Sequence, residues 1–213
     1  DVALLDRLPA LRVVARAGVG VDNIDVAACR SRGVEVVHTP DANTQAVVEY
    51  VTALLCDAIR PRLFLEAPVD PVRWKEIRAE VCGERQMDEM TLGILGLGRI
   101  GRRIAAVAGA IGFTVLYHDL VDPPEPARAG AESVSMETLL TESDVLTVHV
   151  DGRASNRHLI DAAVLRRMKA DAILVNTSRG FVIREDDLAT WLAGRPGARA
   201  ILDVHVDEPF PAA

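Results

Sequence analysis

The sequence predicts an α/β protein in which a doubly wound parallel sheet follows part of a smaller α/β domain. From residue 91 onward, short apolar runs alternate with helical patterns, which is the order of repeated β-α-β units. Runs such as "AILVNT" (172–177) lack polar alternation, as expected for strands covered by helices on both faces. A glycine-rich turn directly after the first of these strands indicates that the sheet is of the Rossmann type.

The segment 1–66 predicts part of the smaller domain. "LRVVARAG" (11–18) and "VEVVHTP" (34–40) are β-branched runs typical of strands, and a short helix between them ends at Gly33. The segment therefore predicts a strand–helix–strand unit.

A long helix is predicted over residues 44–60, with Asn43 or Thr44 as its N-cap. It is apolar on nearly every face, which is typical of a helix buried between two layers or two domains. Residues 61–90 are rich in proline and charge, so we expect a linker or domain edge there.

The segment 67–213 predicts the large domain, in which strands and helices alternate. The predicted strands are 91–96, 114–118, 145–150, 172–177 and 199–204, and the predicted helices are 99–110, 136–142, 161–168 and 185–193.

Composition restricts the kinds of partner. The net charge is −7 and the arginines are scattered, which argues against a nucleic-acid or anionic-membrane surface. No apolar run approaches the roughly 20 residues of a spanning helix, and the first residues do not resemble a signal peptide. Cys29, Cys56 and Cys82 are odd in number and form no CxxC pair. We therefore expect reduced thiols in the cytoplasm and no metal site.

The stretch "TLGILGLGRIGRRIAAVAGAIGFTVLYHDL" (91–120) places a GxGxxG turn between a predicted strand and a predicted helix. In such a turn Gly96 permits the tight bend and Gly98 leaves room for a pyrophosphate. Gly101 lets the helix and strand pack closely, and the helix N-terminus presents N–H groups to the phosphates. The dinucleotide-binding residues predicted here are Gly96, Gly98, Arg99, Ile100 and Gly101.

Asp119 ends the next predicted strand, 18 residues beyond Gly101. A carboxylate at this position accepts hydrogen bonds from ribose hydroxyls and repels a 2′-phosphate, so NAD is favoured over NADP as the cofactor. The alternative is a glycine turn without a ligand beside a solvated aspartate.

From residue 11 onward, the sequence resembles the D-isomer-specific 2-hydroxyacid dehydrogenases, particularly the D-3-phosphoglycerate dehydrogenase-like branch. "ARAGVGVDNIDV" (15–26) is similar to the family's substrate loop, and "TLGILGLGRIG" (91–101) to its cofactor turn. "RMKADAILVNTSRG" (167–180) is similar to its catalytic arginine segment, and "AILDVHVDEP" (200–209) to its Asp and Glu segment.

The resemblance implies a two-domain enzyme in which an NAD domain is inserted into a smaller, flavodoxin-like substrate domain. The helix 44–60 would be one of the two crossings between them. Hydride would pass between the nicotinamide and a D-2-hydroxy acid or 2-oxo acid, with a phosphoglycerate-like substrate favoured by the loop at 15–26. The resemblance also implies a homodimer paired through the NAD domains.

The resemblance assigns the substrate-facing roles to a few residues. Arg179 would clamp the substrate carboxylate and polarise its carbonyl, and its planar fork suits paired contacts. Glu208 would orient a histidine and raise its pKa. The backbone N–H groups around Val19 and Gly20 would hold the substrate carboxylate. The residues implied beside the nicotinamide are Val150, Thr177, Ser178 and Asp203.

The sequence also departs from the family pattern. The family's catalytic histidine lies in a Pro-His segment downstream of the glutamate, which these 213 residues do not contain, so we expect them to be part of a longer enzyme. Asp151 stands where the family usually has proline, and His158 where it usually has glycine. A second hypothesis is an NAD(H)-binding regulatory protein, similar to the C-terminal-binding-protein corepressors, without dehydrogenase turnover.

Overall fold

Eight strands form two parallel sheets in the part of the chain that the structure, a computed structural model, describes: residues 2–82 and 85–209. The helices are α1 Val2–Arg7, α2 Val26–Ser31, α3 Thr44–Ile59, α4 Pro71–Val81, α5 Arg99–Ala110, α6 Met136–Glu142, α7 Ala162–Leu165 and α8 Glu185–Ala193. The strands are β1 Val13–Arg16, β2 Glu35–His38, β3 Thr91–Leu95, β4 Thr114–His118, β5 Glu132–Ser133, β6 Val145–Val148, β7 Ile173–Asn176 and β8 Arg199–Leu202.

The large sheet has six strands in the order β5-β4-β3-β6-β7-β8, all parallel. The chain runs outward from β3 through β4 to β5, then returns to β6 on the other side of β3 and continues outward. This reversal opens a crevice at the carboxyl ends of β3 and β6, where open α/β sheets bind ligands. Leu95 pairs with Val148 at those ends, so the segments that follow both strands are neighbours.

Both faces of the large sheet are buried, which confirms the doubly wound α/β class. Ile94 packs in a core cluster with residues of α3 and α5. Leu95, the next residue along β3, packs in a second cluster on the opposite face with residues of α6, α7 and α8. Successive side chains of a strand point to opposite faces, so two covered faces require the uninterrupted apolar runs in the sequence.

Helix α3 packs through one face only within the described residues. That face is apolar at helical spacing and lies against α5 and the large sheet, and its buried residues are Thr44, Val48, Val51, Leu55 and Ile59. Tyr50, on the other side, is exposed. The sequence suggested that the helix is buried on nearly every face. The large sheet covers only one face, which contains the buried positions three and four residues apart.

The smaller sheet contains β1 and β2, in parallel register, with α2 between them in sequence. Its core is a small cluster of Leu5, Cys29 and Val34. Asp25 caps α2 by accepting a hydrogen bond from the Ala28 N–H at 2.8 Å. The predicted strand–helix–strand unit at the start of the chain is therefore present.

The segment 61–90 is not only a linker, because it contains α4. Asp70 accepts hydrogen bonds from the N–H groups of Val72 and Arg73 at 2.8 and 3.0 Å, and Pro71 occupies the first helical position. Both features start helices. The sequence predicted a linker or domain edge here but did not reveal the helix, because the density of charge and proline concealed this start signal.

An ionic cluster around the buried Asp144 lies at the end of the large sheet opposite the crevice. Asp144, just before β6, accepts hydrogen bonds from Arg85 at 2.8 Å, Lys169 at 2.9 Å and the Thr91 N–H at 2.7 Å. Burial raises the pKa of Asp144, but these hydrogen bonds outweigh it and lower the pKa to about 2. The carboxylate therefore ties the segment entering β3 to β6 and to the loop before β7.

Candidate functional site

The glycine-rich turn follows β3 at the crevice, as the sequence predicted. Gly96 has φ +98°, and a Cβ there would press against the backbone carbonyl of His149 after β6. A Cβ at Gly101 would collide with the carbonyl of Gly96. At Gly98, by contrast, a Cβ would meet nothing within 4 Å. Two glycines thus allow backbone packing, and the third leaves open space at the start of α5.

Asp119 fixes this turn from the end of β4. One carboxylate oxygen accepts a hydrogen bond from the Leu97 N–H at 2.6 Å, and the other from the Val121 N–H at 3.0 Å. Each oxygen has a further lone pair available for a ligand hydroxyl. The position that the sequence assigned to the ribose therefore lies directly beside the turn.

A cleft in two connected parts opens above the turn. The larger part, of about 520 Å³, includes the predicted residues Val19, Gly20, Gly98, Arg99, Ile100, Val150, Thr177, Ser178 and Arg179. The smaller part, of about 350 Å³, includes Gly96, Gly98, Asp119 and Val150. The residues common to both parts are Gly98, His149, Val150, Asp151 and Arg153. An elongated ligand can extend from one part into the other past these shared residues.

Two features of the larger part fit a bound dinucleotide. Thr177 Oγ1 is buried and has no hydrogen-bond partner among the described residues, so it is available to a polar ligand group. The N–H groups in the first turn of α5 have no partner inside the helix and carry partial positive charge toward a diphosphate. The residues present therefore fit NAD.

Arg179 is held in the cleft by two segments of the chain. Its Nε and Nη2 lie 2.6 Å from the same oxygen of Asp22, and its Nη1 donates to the Ser178 carbonyl at 2.8 Å. An arginine has five N–H donors, so two remain for a ligand after these three contacts. Gly20 and Gly152 allow the approach, because a Cβ at either would collide with Arg179 or Asp22.

Asp22 was not among the residues predicted from the sequence. It lies two residues after Gly20 in the loop that resembles the family's substrate loop, but its partner Arg179 is 157 residues away. No local pattern links the two, so only the folded chain shows the pair.

Asp203 and Glu208 lie outside both parts of the cleft. The charge of Asp203 is the main cause that raises the pKa of Tyr50 on α3, with burial and a hydrogen bond between the two side chains adding to it. Glu208 is exposed, and its carboxylate accepts a hydrogen bond from the His205 N–H at 3.0 Å. His205 in turn lies against Gly180, the residue after Arg179, since a Cβ at Gly180 would collide with the His205 carbonyl.

His118 lines the smaller part of the cleft, and His149 lines both parts. Burial lowers the pKa of His149 to about 3, so its ring is neutral near pH 7. Its Nε2 lies 2.8 Å from Thr147 Oγ1. The Nδ1 of His205 lies 3.4 Å from Glu185 Oε1.

Most of the chain matches a known protein family. The model for "D-isomer specific 2-hydroxyacid dehydrogenase, NAD binding domain" matches residues 52–213. The chain belongs to the D-isomer specific 2-hydroxyacid dehydrogenase family. The cofactor of this family's matched domain is NAD, and NAD is therefore the cofactor of this protein.

Individual members of the family resemble the chain over nearly its whole length. A glyoxylate reductase of Aeropyrum pernix is 40% identical over 99% of this chain, and a D-3-phosphoglycerate dehydrogenase of Mycobacterium tuberculosis is 37% identical over 98%. The chain spans 64% of the length of the first and 39% of the second.

A solved structure supports the same fold. D-Lactate dehydrogenase from Aquifex aeolicus, complexed with NAD and lactic acid, superimposes with a TM-score of 0.81 at 30% identity, covering 97% of this chain and 61% of that one. The order of the six strands and the turn after β3 are thus set in a 2-hydroxyacid dehydrogenase fold. In the described residues, no helix combines the length and apolarity needed to cross a membrane.

Proposed function

We propose that this protein is an NAD-dependent oxidoreductase that transfers a hydride between the nicotinamide and a D-2-hydroxy acid or 2-oxo acid. The observation that carries the proposal is the position of Arg179, which lines the same cleft as the glycine turn and keeps two N–H donors free. A planar guanidinium with paired donors suits a carboxylate. NAD, when bound, supplies or accepts the hydride.

The residues proposed to hold NAD follow the cleft from end to end. Asp119 would bind the ribose and the start of α5 the diphosphate, and Thr177 with its unpaired hydroxyl would lie on the nicotinamide side. The proposed set is Gly96, Gly98, Arg99, Ile100, Gly101, Asp119, Val150, Thr177 and Ser178. The family resemblance adds Asp203, which lies outside both parts of the cleft.

The substrate is proposed to lie between the small sheet and Arg179. Its carboxylate would accept from the free N–H groups of Arg179 and from the backbone around Val19 and Gly20, which line the same part of the cleft. Arg179 would also polarise the 2-oxo group. Glu208 is proposed to orient the histidine that exchanges the proton with the substrate oxygen.

A phosphoglycerate-like acid is the proposed substrate within this class. The loop at 15–26, which resembles the substrate loop of phosphoglycerate-type enzymes, lines the larger part of the cleft through Val19 and Gly20 and favours such an acid. The similarity to D-3-phosphoglycerate dehydrogenases supports the same choice. The similarity to glyoxylate reductases makes glyoxylate the first competing substrate.

The test is NADH oxidation by the full-length protein with glyoxylate, hydroxypyruvate, pyruvate and the 2-oxo form of phosphoglycerate. Turnover of at least one acid is expected, with the phosphorylated acid giving the highest kcat/KM. Tight NADH binding without turnover of any acid would overturn the enzyme and favour a regulatory, NAD(H)-binding protein. Tighter binding of NADPH than of NADH would contradict the role of Asp119.

A homodimer is proposed from the surface near α4. Phe64, Val72 and Trp74 are apolar side chains exposed along one short segment, with Phe64 81% exposed. An apolar surface of this kind marks a protein contact, and a second copy of the chain suits the family resemblance. Light scattering at micromolar concentration is expected to give twice the monomer mass, and Trp74→Glu to give the monomer.

A cytoplasmic location is proposed from the cysteines. Cys29, Cys56 and Cys82 are free thiols, one buried, one half-buried and one exposed. Free thiols of this kind persist in a reducing compartment. Thiol titration of protein purified without reductant should give three thiols per chain.

A further inference from the structure

The loop after β6 contains an ion pair at the junction of the two parts of the cleft. Asp151 and Arg153 line both parts, together with Gly98 at the start of α5. A dinucleotide that fills both parts must pass its diphosphate through this junction, since the diphosphate joins its two nucleosides. Arg153 is therefore a cation beside the path of the two phosphates.

Asp151 holds Arg153 in a defined geometry. Arg153 Nε donates to one carboxylate oxygen at 2.7 Å and Nη2 to the other at 2.5 Å. The Asn156 side chain and the Arg153 N–H also donate to Asp151, at 3.1 and 3.2 Å, so the carboxylate is itself fixed. Three of the five guanidinium N–H donors remain after the two side-chain contacts.

The charges around the pair place it in the middle of the cleft. The hydrogen bond from Arg153 is the main cause that lowers the pKa of Asp151, and the charge of Arg179 at the substrate end adds to it. The hydrogen bond to Asp151 is likewise the main cause that raises the pKa of Arg153, and Asp119 at the ribose end adds a small part. The pair thus lies between the two ends of the proposed NAD site.

We propose that Arg153 binds the diphosphate of NAD from the β6 side of the cleft, and that Asp151 positions its guanidinium for this contact. The backbone N–H groups of α5 meet the phosphates from the other side. A charge-assisted, forked contact of this kind strengthens cofactor binding and fixes the position of the diphosphate. The inference rests on the cleft being the NAD site.

NADH and ADP-ribose binding to the full-length protein, followed by fluorescence and calorimetry, tests the proposal. Arg153→Ala is expected to raise Kd for both ligands by about tenfold, the size of one lost charge-assisted contact. Arg153→Lys keeps the charge without the fork, so its Kd is expected to lie between that of the wild type and that of Arg153→Ala. The weakening of binding between low and physiological salt should be smaller in Arg153→Ala, because one cation no longer contributes.

Arg167→Ala is the matched control. Arg167 pairs with Glu137 on the same domain, and the exposed fractions of the two side chains, 55% and 57%, nearly equal the 51% and 56% of Arg153 and Asp151. This variant should bind NADH as the wild type does. Thermal unfolding of every variant shows whether the fold is kept, and Arg153→Gln replaces Arg153→Ala if the latter unfolds.

The double variant Asp151→Asn/Arg153→Ala separates contact from neutralisation. If Arg153 only cancels the charge of Asp151, removing both charges restores wild-type Kd, and the proposal is overturned. If Arg153 contacts the diphosphate, the double variant stays at least threefold weaker than the wild type. A loss of NADH affinity below about threefold in Arg153→Ala also overturns the proposal.

Gly98→Ala tests the NAD site independently of Arg153. Wild-type NADH binding by Gly98→Ala would overturn the assignment of the cleft as the NAD site, whatever the Arg153 variants show.

Discussion

The two ends of the cleft are assembled in different ways. The dinucleotide turn and its aspartate come from one continuous segment, residues 91–120, and are joined by the bond from Leu97 to Asp119. The proposed substrate end joins Asp22 to Arg179 across 157 residues. The proposed cofactor end is thus part of one β-α-β unit, whereas the proposed substrate end exists only when both sheets are in place.

Ion pairs connect the N-terminal segment to the large domain at two places in the cleft. Asp41 lies 3.6 Å from Arg99, and Asp22 lies 2.6 Å from Arg179. In both pairs the aspartate comes from the first 66 residues and the arginine from the large domain. The N-terminal segment therefore holds the two arginines by charge as well as shaping the substrate side.

Replacing Arg179 should break the substrate end alone. Arg179→Ala is expected to lower kcat/KM for 2-oxo acids about a thousandfold, because the carboxylate and the developing oxyanion lose their shared cation. The Kd for NADH should stay within about twofold of the wild type, since the glycine turn is untouched. Steady-state kinetics and NADH titration measure the two effects.

Arg179→Lys is the control for charge without geometry, and only part of the loss should return. An equally large loss of NADH affinity in Arg179→Ala would contradict the separation of the two ends.

Two glycines should separate packing from ligand binding at the cofactor end. Gly101→Ala forces a Cβ against the Gly96 carbonyl, so Tm should fall by about 5 °C, as overpacking of about 2 kcal/mol implies. Gly98→Ala meets no protein atom, so Tm should change little while Kd for NADH rises at least about tenfold. Calorimetric melting and NADH titration give the comparison, and equal effects of the two variants on Tm would contradict it.

The sequence predicted the strand, turn and helix of residues 91–110 correctly because their signals are local. Strand β3, the glycine spacing and Asp119 follow from turn geometry and a parallel sheet, and the structure places them together. The short strand β5 has two polar residues, Glu132 and Ser133, and so carried no apolar signal. The strand is set by its pairing with β4 and not by its own composition.

The substrate end was less predictable because its contacts are distant. Arg179 and Gly20 were identified by resemblance. Asp22 was not, because only the folded chain brings it to Arg179. Arg153 is similar: its loop is irregular, and only the meeting of β3 with β6 brings it to the cofactor path. The roles of Glu208 and Asp203 stay predictions, since the described residues leave both outside the cleft.

The end of the sheet opposite the crevice offers a test in which stability changes and the cleft does not. Asp144 is only 7% exposed and holds Arg85, Lys169 and the start of β3. Asp144→Asn should lower the free energy of unfolding by about 2 kcal/mol at pH 7 while Kd for NADH stays unchanged. Denaturant unfolding and NADH titration measure the two quantities.

The pH dependence of that difference has a definite sign. The folded pKa of Asp144 is lowered to about 2, below the value near 3.9 of an unfolded aspartate. Its stabilisation is therefore complete above about pH 4 and is lost as the pH falls toward about 2. The Tm difference between wild type and Asp144→Asn should shrink over this range, and a constant difference would contradict the assignment.

The smallest expected effect concerns how Arg179 is aimed. Asp22→Asn removes the charge that fixes Nε and Nη2 but keeps a neutral acceptor, so the fork is held less firmly. The cation is then less neutralised, which favours the substrate carboxylate. We expect kcat to fall about tenfold while KM does not rise, since orientation is lost and ground-state attraction is not. Steady-state kinetics with saturating NADH separates the two constants.

Asp25→Asn provides the control for this last variant, because it makes the same substitution three residues away. Asp25 caps α2 through the Ala28 N–H, and asparagine caps helices about as well, so kinetics and Tm should both be unchanged. An unchanged kcat in Asp22→Asn would show that the Ser178 carbonyl and the local packing aim Arg179 without Asp22. A raised KM at constant kcat would instead place Asp22 in substrate binding. Only a loss in kcat would show that Asp22 of the N-terminal loop orients Arg179.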